Sequence, residues 1–551
     1  MVNFRIHINF VFYLLFLSTG IQAQVDIDSD ISRADLLRLG SLKNKELQQH
    51  YSFNLRSSSV YAIQKDTAAS FWKKKAAIRF NGAGYLFQQN TKLGLTSNDG
   101  NLLPNVGIQQ RAQFNLSMRF KYLYIQLAPE WIGAENKTPE GFEWDKNDGN
   151  YFARYYFYIV NKIDMYPRFG KEKITRLLSG QSSARIQGNA VSFGISTENL
   201  WWGPSLRNSL VMSNNASGFT HFTLNTIRPL KTAVGHFEGQ LIYGNLLNTT
   251  SEHPDHERMR TIWTGGIDKK DSSQRSLSGL MLSWEPKWLP NFFVGIATTG
   301  TGYLGDSSRK LFSFPFFKSN KPIKLGSFFM RYAMPADRTE IYIEMGRADR
   351  MAGPHNIIKD SIPMGYTAGL RKLIPLRNKN SYIYLGLEVT RLQLPDPRMI
   401  FTPNDPFGKP QTNSWYTNSI VKQGYTNNAE VLGAWIGPGS NSQTFQVGWI
   451  NGNKRIMLTG ERVLHNEDFY YYNYLTNSID FLNQNSSKHW ADINATAQVQ
   501  WSFKKLYINA AWSYTSLLNY RWIKLDGGFS GPSKLSDRRN TQTYFSIGWG
   551  L

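Results

Sequence analysis

From about Ala76 to the end of the chain, apolar and polar residues alternate with a period of two. Ile341, Ile343 and Met345 form one apolar face, and Tyr342 and Glu344 take the other. Val499, Trp501 and Phe503 alternate with Gln498, Gln500 and Ser502. The pattern resumes with Leu506, Ile508, Ala510, Trp512 and Tyr514 against Asn509, Ser513 and Thr515. A period of two belongs to strands, whose side chains point to opposite faces in turn. Each run is near the 9–11 residues that a tilted strand needs to cross a bilayer. Mean hydropathy is only −0.40, because the two faces cancel in any window average. No run beyond residue 24 approaches a transmembrane helix. The expected fold is therefore all-β: a transmembrane antiparallel β-barrel over residues 76–551.

The chain end supports this reading. Phe545, Ile547, Trp549 and Leu551 share one face of a terminal strand, with Thr543, Ser546, Gly548 and Gly550 among the intervening small or polar residues. A soluble sandwich or propeller also alternates, but it usually leaves a polar tail beyond its last strand. A barrel must pair its last strand with its first to remove both edges. Aromatic residues make up 14% of the chain and cluster at predicted strand ends. Tyr122, Tyr124 and Trp131, then Tyr155, Tyr156 and Tyr158, then Trp284 and Trp288, then Tyr470 to Tyr472 are read as rings at headgroup level. Polar stretches rich in Gly, Pro, Asn and Asp lie at Asn90 to Asn105, Glu135 to Asn150, Thr249 to Arg275 and Pro395 to Thr412. Such unequal connections suit short turns on one side and long loops on the other.

The beginning of the chain differs. Arg5, the apolar stretch Phe10 to Leu17 and Ile21-Gln22-Ala23 before Gln24 read as a signal peptide over residues 1–23. The chain has no cysteine, which excludes lipid anchoring through cysteine, disulfides and thiolate metal sites. Residues 24–75 read as a small, partly helical periplasmic region. Ser32 can cap a helix containing Asp35, Leu36, Leu37 and Leu39, which Gly40 interrupts and Lys43 to Gln49 is expected to continue; a second short helix is expected over Thr67 to Lys75.

One segment fits neither an uninterrupted helix nor an uninterrupted strand. Between predicted strands Val191 to Ile195 and Gly218 to Leu224 lie Glu198, Trp201, Trp202, Gly203-Pro204, Arg207, Asn208, Asn214 and Asn215. In a barrel such a connection can fold inward or cover a mouth. Here the sequence resembles the Wzi family of capsule-assembly outer-membrane proteins. Asp164 to Gly170 is similar to that family's Asp-Leu-Pro-Glu-Arg-Phe-Gly stretch. Gly180-Gln181-Ser182-Ser183 with Arg185, then Glu198 to Pro204 with Arg207 to Leu210 and Ser213 to Ala216 follow in order. Further on come Glu340-Ile341-Tyr342 with Glu344, Gly424 to Asn427 with Tyr425, Ile436 to Asn441, and Glu461-Arg462 with His465-Asn466 and Asp468 to Tyr470. Two departures fall in loops: Ser217 stands where the family has Pro, and Ala429 where it has Gly.

The resemblance implies a barrel of about eighteen strands with a helical periplasmic portion. It also implies a role in holding capsular or other surface polysaccharide, rather than catalysis. Aromatic faces, amides and guanidinium groups are compatible with sugar recognition. The net charge of +22 suits an anionic partner such as an acidic polysaccharide or lipopolysaccharide phosphate, while export argues against nucleic acid. The residues singled out as polysaccharide-binding or lumen-structural are Arg185, Glu198, Trp201, Trp202, Arg207, Asn208, Asn214, Asn215, Tyr425 and Asn441. For the Trp201-Trp202 pair packing is preferred to sugar contact, and for Arg185, Arg207 and Glu198 internal ion pairs are preferred. Asn214-Asn215 reads as a turn that tolerates left-handed backbone, and Gly437-Pro438-Gly439 as a tight turn. His253, His256 and Glu257 read as solvated loop charge rather than metal ligands. No catalytic, cofactor or metal site is expected. Further expected partners are outer-membrane lipid and the barrel-assembly machinery, with a monomeric barrel. The competing functional readings are a component of a gliding or adhesion apparatus and, third, a porin-like channel.

Overall fold

Inside a bilayer no water is available to backbone groups, so each crossing segment must pair with its neighbours on both sides. The computed structural model describes residues 30–43, 51–56, 76–140, 156–304, 322–348, 364–394, 413–468, 489–522 and 537–550, apart from positions 250, 263, 379 and 504. The signal peptide, the second helix expected over 67–75, the loop at 395–412 and the aromatics Tyr155 and Tyr470 to Tyr472 lie outside these residues.

The strands form one closed antiparallel barrel of eighteen. Three of them are interrupted: Leu123–Leu127 with Glu130–Ala134, Ile174–Leu178 with Ser183–Gln187, and His221–Thr226 with Leu230–Thr232. The first barrel strand, Ala76–Asn90, pairs with the last, Arg538–Gly550. The seam runs from Gly82 opposite Gly550 to Asn90 opposite Gln542. Gly82 sits at a bulge with φ of 153°, where an added Cβ would lie 2.5 Å from the Trp549 carbonyl oxygen. Only glycine allows that backbone to approach so closely.

The two faces divide as the alternation requires. Ile341 and Met345 are exposed on the outer surface, while Glu340, Tyr342 and Glu344 are buried inside. Val499, Phe503, Trp512, Phe545 and Ile547 are likewise exposed, with Gln500, Asn509, Ser513, Thr515 and Ser546 buried. The turns on one side are as short as Gly452-Asn453, whereas connections on the other span 135–173, 197–220 and 392–440. Short turns mark the periplasmic side of such barrels.

The ring belt is narrower than expected. Tyr122 and Trp288 are 71% and 69% exposed at the short-turn end, and Trp131 also faces outward. Tyr124 instead points inward, hydrogen-bonded to Gln126 and sharing a contact with Ser117. Tyr156 is fully buried in the barrel interior. The Tyr124 hydroxyl, satisfied within the lumen, is as well placed there as at a headgroup.

One helix, α1 (Asp30–Lys43), plugs the short-turn mouth. It runs straight through Gly40, and Ser32 lies within it rather than capping it. The cost of a mid-helix glycine, about 1 kcal/mol, is offset by tertiary contact. Leu39 and Leu42 pack against Ala333, Leu373, Tyr384 and Ile450 on the inner wall. The following segment enters the lumen, where Leu55-Arg56 pairs as a short strand with Trp201-Trp202.

Because closure depends on the terminal strand, removing residues 544–551 should leave the edge around Gly82 to Gln88 unpaired. The truncated chain is expected to give no heat-modifiable, protease-resistant species in the membrane fraction. A folded band from it would contradict closure at this seam.

Candidate functional site

The lumen is filled rather than open. The connection 197–220 descends between the strands Val191–Ser196 and His221–Thr226, which begins three residues later than the alternation suggested. With parts of 135–173 and 392–440 it forms a single apolar core against the inner wall. Trp202, Leu210, Met212, Trp415, Tyr416 and Tyr425 lie at its centre. The wall makes room for them with glycines: a Cβ at Gly279 would lie 2.7 Å from the Trp202 ring, and one at Gly365 would lie 3.0 Å from Trp415.

Trp201 and Trp202 are 1% and 0% exposed. The Trp202 indole donates to the Gln240 side chain at 2.8 Å, and that of Trp201 to the Ser205 carbonyl at 3.1 Å. Arg56 lies 5.0 Å above the Trp201 ring. Gly203 adopts a left-handed φ of 99°, and the turn that follows is held by one carboxylate. Glu388 accepts backbone N–H bonds from Leu206, Arg207 and Asn208 at 2.7, 3.1 and 2.9 Å, together with the Tyr342 hydroxyl at 2.6 Å.

Several charged residues of the lumen are held in ion pairs, which offset the cost of burying them. Arg185 bonds Glu198 at 2.5 Å and Asn225 at 2.6 Å. Arg207, a quarter exposed, makes a two-pronged contact with Glu461 at 2.9 and 2.8 Å. Near the short-turn mouth Glu340 receives Arg38 from α1, Arg331 at 2.8 Å and Arg371 at 3.2 Å. Asp35 of α1 meets Arg371, and Arg455 at 3.0 Å. Burial opposes the ionised Asp35 carboxylate, but Arg371 and Arg455 outweigh it and hold the group at about 2, below the usual 3.8. Arg38 also donates to the Pro204 carbonyl at 2.6 Å. The same cluster therefore fastens the N-terminal helix, the descending loop and the wall.

The remaining predicted residues join loops to one another. Asn208 donates to Ser442 at 3.0 Å, Asn214 to the Asn98 carbonyl at 2.9 Å and Asn215 to the Val431 carbonyl at 3.0 Å. Neither Asn214 nor Asn215 has a positive φ, so the left-handed turn expected there is absent; Gly437 and Gly439 do have one. Tyr425 is buried and stacked on Tyr416 with centroids 6.0 Å apart. Asn441 donates to Gln393 at 2.8 Å. Ala429 has a φ of 63°, the conformation that the family's glycine would adopt freely. The histidine reading needs correction. His253 is buried, edge-on to Tyr156 and Tyr166, and a short helix, α2 (His256–Ile262), follows it. Burial pushes His253 down to about 4, which leaves it neutral. No group of three or more metal-binding side chains is found among the described residues.

A cleft lies between this plug and the inner wall near the long-loop end, with a volume of about 240 Å³. Sequence reasoning missed most of it; Asn215 is the one member of the singled-out set that lines it. Trp435 and Glu430 come from the plug, while Trp490, Tyr520 and His465 come from the wall loops. His465 stacks on Trp490 with centroids 4.3 Å apart, and Tyr520 meets the same indole edge-on at 5.3 Å. Asp492 holds both, accepting from the Trp490 indole at 2.9 Å and contacting His465 Nε2 at 2.9 Å. Asn466 and Asn494 add amides. Glu430 is 5% exposed, and neither of its oxygens has a protein partner; the indole N–H of Trp435 has none either. Burial, with Asp99 nearby, pushes the Glu430 carboxyl well above the usual carboxylate range.

Against this geometry, a family model described as capsule assembly protein Wzi matches residues 88–517. Among solved structures, the chain is similar to Wzi of Escherichia coli, described as an outer-membrane protein involved in group 1 capsule assembly and a carbohydrate-binding β-barrel. The two share 13% identity at a TM-score of 0.54, covering 97% of this chain and 100% of that one. Two more distant barrels are opdK from Pseudomonas aeruginosa, at 8% identity over 86% and 99% of the chains, and OccAB1 of Acinetobacter baumannii, at 9% over 86% and 96%. Their TM-scores are 0.40 and 0.39. No curated protein matches the sequence.

Two outcomes are expected from the lumen contacts. Trp202→Ala should destabilise the barrel by about 3–5 kcal/mol, the cost of truncating a buried tryptophan, as a lower denaturation midpoint in detergent. The depressed Asp35 carboxyl contributes stability that is present above about pH 4 and lost as the pH falls toward 2. Melting of the parent and of Asp35→Asn should thus differ at pH 5 and converge by pH 2. A difference independent of pH would remove Asp35 from the clasp.

Proposed function

The chain belongs to the Wzi capsule-assembly family, and from that premise we propose that it is a non-enzymatic outer-membrane barrel that binds surface polysaccharide and organises it at the cell surface. The observation that carries the reading is the filled lumen with an aromatic, amide-lined cleft near its long-loop end. A plugged barrel with such a cleft suits a receptor for a chain of sugars. Indole and phenol faces pack on sugar C–H surfaces, and amides match hydroxyl groups in both donor and acceptor roles. The carbohydrate-binding activity of the Escherichia coli relative is consistent with this assignment.

Helix α1, clasped by Glu340 at the periplasmic mouth, and the Trp202 core above it argue against a porin-like channel. Purified protein in planar bilayers should therefore give little steady conductance, and large stable openings would contradict the plugged lumen. Deleting the gene should release polysaccharide from the cell surface and leave surface motility unchanged. Loss of motility with polysaccharide retained would favour a role in a gliding or adhesion apparatus instead.

A further inference from the structure

A carboxyl group buried without a hydrogen-bond partner is costly, so proteins seldom keep one without a use. Glu430 is such a group. It follows the tight hairpin of Asn428 and Ala429, both with left-handed φ, inside the long connection 392–440. Its two oxygens are shielded from solvent and accept no hydrogen bond from the protein, and the residue lines the cleft. In the same connection Trp435 also lines the cleft, with an indole N–H that donates to nothing. With its carboxyl held protonated by burial, Glu430 offers one donor and one acceptor, and the Trp435 indole adds a donor beside aromatic surface.

The chemistry that completes this set is narrow. A hydroxyl pair on adjacent carbons donates one hydrogen bond to a neutral carboxyl group and accepts one from it, and a ring or glycosidic oxygen accepts one from an indole. An acidic sugar fits poorly. Glu461 and Asp492 line the cleft, Arg176 offsets Asp99 beside Glu430, and the guanidinium of Arg521, which also lines the cleft, is already paired with Asp255 at 3.6 Å, so a sugar carboxylate would meet like charges and no uncommitted cation among the lining residues. The guanidinium of Arg207 does not relieve this, because Glu461 already engages it twice. Resting on the polysaccharide-binding reading above, we propose that this cleft holds an uncharged sugar residue of the polymer, with Glu430 gripping vicinal hydroxyls and Trp435 donating to a sugar oxygen. The cationic surplus of the whole chain then plays no part in selecting the sugar that enters the cleft.

The test uses the full-length protein in detergent and polysaccharide released from the producing cells. The polymer is used native and after carbodiimide-mediated reduction of its uronates to neutral sugars, with binding followed by tryptophan fluorescence. Affinity should change by less than twofold on carboxyl reduction, and loss of binding to the reduced polymer would overturn the proposal. Glu430→Met removes both oxygens from a side chain of similar length, so it should weaken binding at least tenfold while leaving the denaturation midpoint unchanged or raising it. Binding unaffected by Glu430→Met would overturn the assignment, and so would binding abolished by EDTA, which would indicate a bridging cation. Trp435→Phe should lower affinity severalfold with the barrel intact. If the parent protein bound neither form of the polymer, the polysaccharide-binding reading would fail as well. If it bound but required uronates, only the inference about the cleft would fall.

Discussion

The constraint on which the rest of the molecule depends is that a bilayer offers backbone groups no water. Each N–H and C=O in the crossing segments must be paired, and a sheet has no unpaired edge only when it closes. Closure falls to the strand at the very end of the chain, which meets Gly82 to Asn90 across the seam. It also dictates the alternation. Lipid accepts only the apolar face, so the polar half of every strand points inward, and that half must then be satisfied inside the protein.

The interior arrangement follows from that obligation. A lumen lined by Glu340, Glu344, Glu388 and Glu461 cannot stay dry and unpaired. The chain supplies the partners from its own connections. Glu388 captures three backbone N–H groups of the descending loop, Glu461 captures Arg207, and Glu340 captures Arg38 of the N-terminal helix. Each pairing draws a loop or a terminus into the barrel, and the apolar residues of those segments then pack on one another around Trp202 and Trp415. The wall carboxylates thus act as docking points, and the plug is the result of satisfying them.

The periodic part of this structure was legible in the sequence. Alternation around Val499 and Trp512 assigned the outward face, and the first barrel strand begins at Ala76, where the period changes. The family-like motifs marked residues that meet in the lumen, because the segment Glu198 to Asn208 belongs to no membrane-crossing strand. Residue identity alone misled where one side chain suits two environments. Tyr124 and Tyr156 have the composition of a headgroup belt but find their place inside, and His253 looks like loop charge but sits edge-on to Tyr156 and Tyr166. Gly40 looked like a helix stop, yet packing against Leu373 and Ile450 carries the helix through it. The cleft was illegible for a different reason. Trp435, Trp490 and Tyr520 come from three separate connections, and nothing local to any of them reveals that the barrel brings them together.

The distribution of charge bears on what the barrel can recognise. A formal surplus of 22 positive charges suggests attraction to an acidic polymer. Many of the inward-facing cations, however, are already committed: Arg38, Arg331 and Arg371 to Glu340, Arg185 to Glu198, and Arg207 to Glu461. Exposed cations are prominent elsewhere, for example Lys121, Arg228, Lys231, Lys287 and Arg377 at the short-turn end. That end also carries the exposed rings of Tyr122 and Trp288 and so lies at headgroup depth on the periplasmic side. Charges there are separated from the cleft by the height of the barrel, well beyond the roughly 10 Å over which salt screens exposed charges. Net charge is thus a property of the membrane-facing rim as much as of any binding surface. Specificity in the cleft follows from the groups that line it, among them the carboxyl groups of Glu430, Glu461 and Asp492, the guanidinium of Arg521 and the rings of Trp435, Trp490 and Tyr520.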